Sequence, residues 1–339
     1  MRSSSLADAD DLLTSAIGGA SMATLARPVA LRRPSRAARR EAIEGLLYIS
    51  PFLLGFLIFT AYPMIASLYL SFTKYNILNP PTWIGLENYQ EAFFNDEQFW
   101  NSLRRTGVFA LLNVTLGILG SLGAALLLNQ RFRGTTVFRT FFFLPSITPI
   151  IASALLWVWI YQPTIGLLNY LLGMIGIQGP AWLQSTSWAI PSVAIVSLWG
   201  TIGGTRMIIF LAALQAVPQE MYDAAHIDGA GAWRRFVSIT LPLISPTMFF
   251  NVVLTIIGSL SVFSLAYIAT GGGPNYATYF YVYHLYKNAF EFSRMGYAAA
   301  MAWLFFLLIL VLTLVQFRFS NRWVYYAGAD THEEVKDAK

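Results

Sequence analysis

The chain has 339 residues, of which 56% are hydrophobic and only 12% are charged. Soluble domains carry about 25% charged residues, so this composition excludes an ordinary water-soluble globule and predicts a chain that is solvated mainly by lipid. The net charge of +5 comes from arginines scattered between apolar stretches, a pattern that does not favour nucleic-acid binding, and the absence of cysteine excludes disulfides and thiolate metal sites.

Three regions are predicted along the chain. Residues 1–42 are predicted to form an Arg-rich cytoplasmic tail that is disordered or loosely helical. Residues 43–322 form a membrane domain, and residues 323–339 form a second cytoplasmic tail. A helix needs about 20 apolar residues to cross a bilayer core of about 30 Å. Six stretches of the membrane domain meet that requirement, at residues 43–72, 106–128, 137–161, 189–213, 244–269 and 296–318.

The predicted fold is therefore an all-α membrane protein with six transmembrane helices. Its orientation follows from the positive-inside rule, because arginines concentrate in short loops on one side of the predicted membrane. Both termini are expected in the cytoplasm, with the chain in the inner or plasma membrane. The basic residues on that side include Arg27, Arg32, Arg33, Arg36, Arg39, Arg40, Arg131, Arg133, Arg139, Arg234, Arg235, Arg318 and Arg322.

The cytoplasmic loop between the fourth and fifth spans, residues 220–242, differs from the other loops. Pro218 suits a first helical turn, where its missing N–H is not needed. Gly229 and Gly231 are expected to interrupt the helix. A second short helix then follows and is expected to stop at Pro242. The sequence thus predicts two short helices with a small-residue face, a shape that can enter a groove on a partner.

This loop resembles the "EAA" loop of binding-protein-dependent ABC importer permeases. The matching pattern is Asp223-Ala224-Ala225, three residues, Gly229, nine residues and Ile239-Thr240-Leu241-Pro242. The departure is Asp223, where the family usually has Glu. Other short motifs are similar to the carbohydrate-uptake branch, in particular to maltose- and glycerol-phosphate-type first permease subunits. These motifs are residues 83–89, Leu144-Pro145 and residues 270–274.

The resemblance implies a permease subunit that translocates a sugar or related polyol, with ATP hydrolysed elsewhere. Its implied partners are a second homologous permease, two ATP-binding subunits that hold MgATP, an extracytoplasmic solute-binding protein and membrane lipid. None of the four lysines follows a glycine, so the chain has no phosphate-binding P-loop, and no catalytic or metal site is expected. The residues implied in coupling to the ATPase are Asp223, Ala224, Ala225, Gly229, Ile239, Leu241 and Pro242.

By the same resemblance, solute contacts come from the middle of the fourth and fifth spans. The matching residues are Thr201, Ile202, Thr205, Thr255, Gly258, Ser259 and Val262. The last four share one helical face, although small residues are equally expected where membrane helices pack closely. Arg206 in the fourth span either lines the pathway and selects a polar or anionic solute, or pairs with a carboxylate or reaches toward a membrane surface.

Two other functions remain open from the sequence. A secondary transporter would need an ion-coupling carboxylate inside a span, and the predicted spans contain only Glu44, at the edge of the first. A non-transporting assembly subunit of an ABC complex would have the loop but no solute path.

Overall fold

The computed structural model describes residues 36–130 and 133–325. The chain divides into two units, one up to Tyr62 and one from Pro63 onward. In the first unit, α1 (Arg36–Phe56) is followed by a π turn at Leu57–Ala61. The last residues of the predicted N-terminal tail are therefore helical. The first 35 residues of this tail lie outside the described ranges, as do residues 326–339 of the C-terminal tail.

Helices also form nearly all of the regular structure after residue 62. A two-residue antiparallel ladder, β1 (Thr73–Lys74) with β2 (Thr82–Trp83), pairs Thr73 with Trp83. The remaining helices in chain order are α2 (Tyr62–Ser71), α3 (Glu87–Gln90), α4 (Glu97–Asn129), α5 (Thr135–Ile147), α6 (Ile150–Ile160), α7 (Leu167–Met174), α8 (Ala189–Thr201), α9 (Thr205–Gln215), α10 (Gln219–Ile227), α11 (Ala232–Arg235), α12 (Leu241–Leu260), α13 (Ser264–Ala269), α14 (Tyr281–Tyr286) and α15 (Met295–Ser320).

Four to six membrane spans are compatible with these helices. In the described ranges, four helical stretches are long and apolar enough to cross a membrane: Ile43–Ser71, Glu97–Asn129, Ala232–Ala269 and Met295–Ser320. Two further pairs satisfy the requirement only together, because α5 and α6 are bent by 97° and α8 and α9 by 51°. If each bent pair is one span, helices occupy all six predicted intervals.

Local sequence explains both bends. Thr148 precedes Pro149, and the proline ring disfavours the helical conformation of the residue before it. Thr148 accordingly has φ −69° and ψ 128°, which ends α5, and α6 restarts after the proline. The second break falls at Gly203 and Gly204, which provide little side-chain packing to hold a continuous helix.

The expected stop at Pro242 is wrong. After α11, a π turn at Phe236–Thr240 leads directly into α12, and Pro242 lies in the first turn of that helix. A proline ring collides with the carbonyl four residues earlier and cannot donate a hydrogen bond. The backbone before Pro242 forms the wider π turn, in which the Leu241 N–H bonds to the Phe236 carbonyl five residues earlier. The helix therefore accommodates the proline and continues into the membrane span.

Helix α4 is the central element of the second unit. It packs against α8, α9, α12 and α14. Its buried face carries small residues, among them Gly117, Ser121 and Ala125, which allow neighbouring helices to approach closely. This arrangement brings the two predicted solute-contacting spans, α8–α9 and α12–α13, together around one helix.

Candidate functional site

Residues 220–242, here called the coupling segment, form α10, a tight turn and the start of the long α11–α12 helix. The turn closes α10 with two backbone hydrogen bonds, from Ala230 to the Ala225 carbonyl at 2.9 Å and from Gly229 to the His226 carbonyl at 3.0 Å. This pair of bonds is typical of a helix end whose turn residue is left-handed. Gly229 has φ +73°, so the motif glycine itself makes the turn possible.

The predicted coupling residues fall into two groups. Asp223, Ala224 and Gly229 are exposed, and Asp223 accepts a hydrogen bond from Gln219 at 3.2 Å. The others are half-buried. They are Ala225, Ile239, Leu241 and Pro242.

Two large apolar residues beside the turn were not predicted. Ile227 is 86% exposed and Trp233 is 76% exposed, one on each side of Gly229. Exposed apolar side chains grouped on a surface are typical of protein–protein contact sites. Their positions near the motif glycine could have identified them in the sequence. The motif pattern itself, however, does not include these two residues.

A hydrogen bond connects α10 to the base of the following span. The Tyr222 hydroxyl lies 2.8 Å from the Thr240 hydroxyl. Thr240 is buried at the end of the π turn that leads into α12. This hydrogen bond therefore connects α10 directly to the start of α12, in addition to the chain connection through α11.

A cavity of about 300 Å³ lies between α4, α8, α9 and the α12–α13 region. A second cavity of about 270 Å³ shares Thr201, Arg206, Leu254 and Thr255 with it. Together, the two cavities bring most of the predicted pathway residues into one place. Those that line at least one cavity are Thr201, Thr205, Arg206, Thr255, Gly258, Ser259 and Val262.

The structure places Ile202 differently. This residue lines neither cavity and packs against the apolar cluster between α4 and α9, close to Gly120.

The sequence also did not identify Asn113 on α4, whose amide donates to the Ser197 hydroxyl at 2.7 Å beside the first cavity. Asn113 is an amide within a predicted span, which was the signal that could have identified it.

Two threonine hydroxyls of the cavity share a hydrogen-bonding pattern. Thr201 donates to the Ser197 carbonyl at 2.8 Å, and Thr255 donates to the Asn251 carbonyl at 2.6 Å. Each hydroxyl proton is thus used within its own helix, while the oxygen keeps acceptor capacity. The walls therefore present hydrogen-bond acceptors, which suit the hydroxyl donors of a polyol.

Arg206 is the charged residue of this cavity. Its Nη1 atom is buried without a hydrogen-bond partner, and no carboxylate among the described residues forms an ion pair with it. Insertion scales assign about 2.5–3.5 kcal/mol to an Arg at the centre of a membrane helix. Neutralisation by a carboxylate in the described part of this chain therefore does not account for Arg206.

A second polar cluster lies at the start of α4, around Asp96. Asp96 caps α4 by accepting from the Gln98 and Phe99 backbone N–H groups. Its other carboxylate oxygen lies 2.7 Å from His284 Nε2 and accepts from the Tyr297 hydroxyl at 2.6 Å. This cluster connects the start of α4 to α14 and α15.

Burial alone would raise the pKa of Asp96, because it disfavours the charged form. The hydrogen bonds from His284 and Tyr297 outweigh burial and lower the pKa of Asp96 from 3.8 to about 2. His284 Nδ1 faces the Asn288 amide nitrogen at 3.3 Å. Because that nitrogen is a donor, the imidazole is best satisfied with its proton on Nε2, where it donates to Asp96.

Apolar helices long enough to span a membrane, a polar cavity between them and an exposed helical segment at their base define the membrane subunit of a transporter. Residues 117–325 match the family described as binding-protein-dependent transport system inner membrane component. The chain belongs to this family and is a permease subunit of an ABC importer, in a multi-pass membrane arrangement.

Relatives that match most of the chain are also named as permease subunits. The probable ABC transporter permease protein YesP of Bacillus subtilis is 41% identical, covering 88% of this chain and 97% of its own. The sulfoquinovosyl glycerol transport system permease SmoG of Agrobacterium fabrum is 32% identical, covering 82% and 90%. A chain of a bacterial alginate ABC transporter, crystallised with its alginate pentasaccharide-bound periplasmic protein, matches with TM-score 0.75 and 25% identity over 85% of this chain and 98% of that one.

Proposed function

We propose that this permease imports a sugar or related polyol across the cell membrane, driven by ATP hydrolysis on separate subunits. The observation that carries the proposal is the cavity between α8–α9 and α12–α13, whose hydroxyl oxygens are free to accept from sugar hydroxyls. The names of SmoG and of the alginate transporter, which refer to saccharide substrates, support the same substrate class.

The proposed assembly contains a second homologous permease, two ATP-binding subunits with MgATP, and an extracytoplasmic binding protein that delivers the solute. The alginate transporter, crystallised with its periplasmic protein, supports the last of these. The chain itself contributes six spans, with each bent helix pair crossing once, and both termini in the cytoplasm. The arginine-rich loops support that orientation.

The coupling segment is proposed to transmit ATP-driven movement to the spans. Ile227 and Trp233 provide the exposed apolar contacts for the ATPase, and Gly229 sets the angle between the two helices. The Tyr222–Thr240 hydrogen bond then joins the docked helix to α12, which lines the cavity. ATP can shift this equilibrium only if it binds one global state more tightly than the other.

The test of the proposed function is ATP hydrolysis by the complete complex in proteoliposomes. The cognate binding protein is added with a panel of sugars and phosphorylated polyols, and uptake of each radiolabelled compound is measured in parallel. We expect one saccharide or polyol to stimulate hydrolysis severalfold and to accumulate inside. Stimulation with no accumulation would point to an assembly subunit, and uptake driven by an ion gradient without ATP would point to a secondary transporter.

A further inference from the structure

We propose that Arg206 binds an acidic group of the transported solute, so that the solute is a saccharide carrying a negative charge. This inference rests on the proposed function. The two cavities share Arg206, and their lining contains one cationic side chain and no carboxylate among the described residues. An anionic solute would therefore bring the missing counter-charge with it.

The position of Arg206 is fixed by its surroundings. A Cβ atom on residue 117 of α4 would collide with Arg206 Nη1, and it would also lie 3.4 Å from Leu198 Cδ2. Gly117 thus leaves the space in which one arm of the guanidinium is packed. That arm is buried and has no hydrogen-bond partner, while the residue still lines both cavities.

Several other polar groups of the cavity already use their donors. The Thr201 and Thr255 hydroxyl protons are used by backbone carbonyls, and the Asn113 amide donates to Ser197. The oxygens of the hydroxyl groups suit the hydroxyls of a sugar, whereas a planar guanidinium suits a carboxylate, sulfonate or phosphate. Arg206 is therefore the charged donor that these cavities offer to an acidic group.

The helix that carries Arg206 adds to this electrostatic preference. The chain bends by 51° between α8 and α9, so α9 begins at Thr205, beside the second cavity. The first turn of a helix has a partial positive charge. The guanidinium and this helix end therefore have the same sign and favour the same kind of ligand.

The experiment uses the complete importer, reconstituted in proteoliposomes with its binding protein. The probes are a uronic-acid disaccharide, a hexose phosphate and the neutral counterpart of each. We expect the wild type to accumulate an acidic probe, and R206Q to lower that accumulation at least tenfold. R206K keeps the charge without the planar fork and should give an intermediate value. The matched control R104Q, at an exposed arginine of α4, should stay within twofold of the wild type.

Assembly of each variant is measured by size-exclusion chromatography, and R206Q should elute as the complete complex. Basal ATP hydrolysis without solute is measured for the control R104Q and should equal that of the wild type. Accumulation of only the neutral probes by the wild type would overturn the proposal, as would unimpaired acidic uptake by R206Q. Loss of the second permease from the R206Q complex would also overturn it, because Arg206 would then pair with a partner subunit. Uptake of no saccharide at all would instead refute the proposed function.

Discussion

Replacing Asp96 with Ala is expected to lower the free energy of unfolding by at least about 3 kcal/mol. Loss of the α4 cap contributes about 1 kcal/mol. The larger part comes from His284 and Tyr297, whose donors would be left unpaired in a largely buried position, at about 1–3 kcal/mol each. Thermal and denaturant unfolding of the purified chain in detergent micelles would measure the loss.

The adjacent residue provides the control for this change. Glu97 is exposed, and the hydrogen bond that it accepts from Asn101 is long at 3.4 Å. Substitution of such a surface residue usually changes stability by less than about 0.5 kcal/mol. Equal destabilisation by E97A and D96A would show that the first turn of α4 tolerates no change, and would remove the special role assigned to the Asp96 cluster.

The pH dependence of the same variant follows from the lowered pKa. Because the pKa of Asp96 is about 2 in the folded chain and 3.8 in its ordinary state, ionised Asp96 stabilises the fold fully above about pH 4. This contribution is lost as the pH falls from about 4 toward 2. The stability difference between wild type and D96A should therefore be constant near neutral pH and shrink in acid.

Replacing Gly229 with Ala is expected to weaken binding of the ATPase subunits by about 5- to 30-fold. A residue with a side chain costs about 1–2 kcal/mol in the left-handed conformation that Gly229 adopts, and that energy corresponds to this range. The chain would relieve the strain by moving α10 relative to α11, which changes the position of Ile227 relative to Trp233. Affinity between the permease pair and the ATPase would be measured by titration in nanodiscs.

Gly231 is a matched control two residues further along the same turn. It has φ −64°, which any residue adopts, and an added Cβ would meet no atom within 4 Å, as at Gly229. G231A should therefore change the affinity by less than twofold. If the two variants were equally impaired, bulk at the contact surface rather than backbone conformation would explain the loss, and the role given to the Gly229 turn would be wrong.

The family resemblance named the pathway residues, and helical spacing placed four of them on one face. Thr255, Gly258, Ser259 and Val262 do line the cavity together. The resemblance also assigned Ile202 to the pathway, but this residue lines neither cavity. The direction of a side chain near a break depends on what packs against it, and here Ile202 packs toward Gly120 of α4.

Other features depend on contacts that no local pattern contains. Asp96 and His284 are 188 positions apart and meet only because α14 packs against α4. The outcome at Pro242 was missed for a different reason. A proline alone predicts a helix end, whereas the π turn before it, at Phe236–Thr240, allows the helix to continue.

Site-specific cross-linking tests most directly the claim that the coupling segment contacts a separate ATPase in the cytoplasm. The chain has no cysteine, so I227C and F94C, at positions 86% and 84% exposed, each introduce one unique thiol. A short thiol cross-linker is expected to join residue 227, and not residue 94, to the ATPase subunit. In intact cells, a membrane-impermeant reagent should label residue 94 alone. Labelling of residue 227 from outside, or an ATPase cross-link at residue 94 but not at 227, would contradict it.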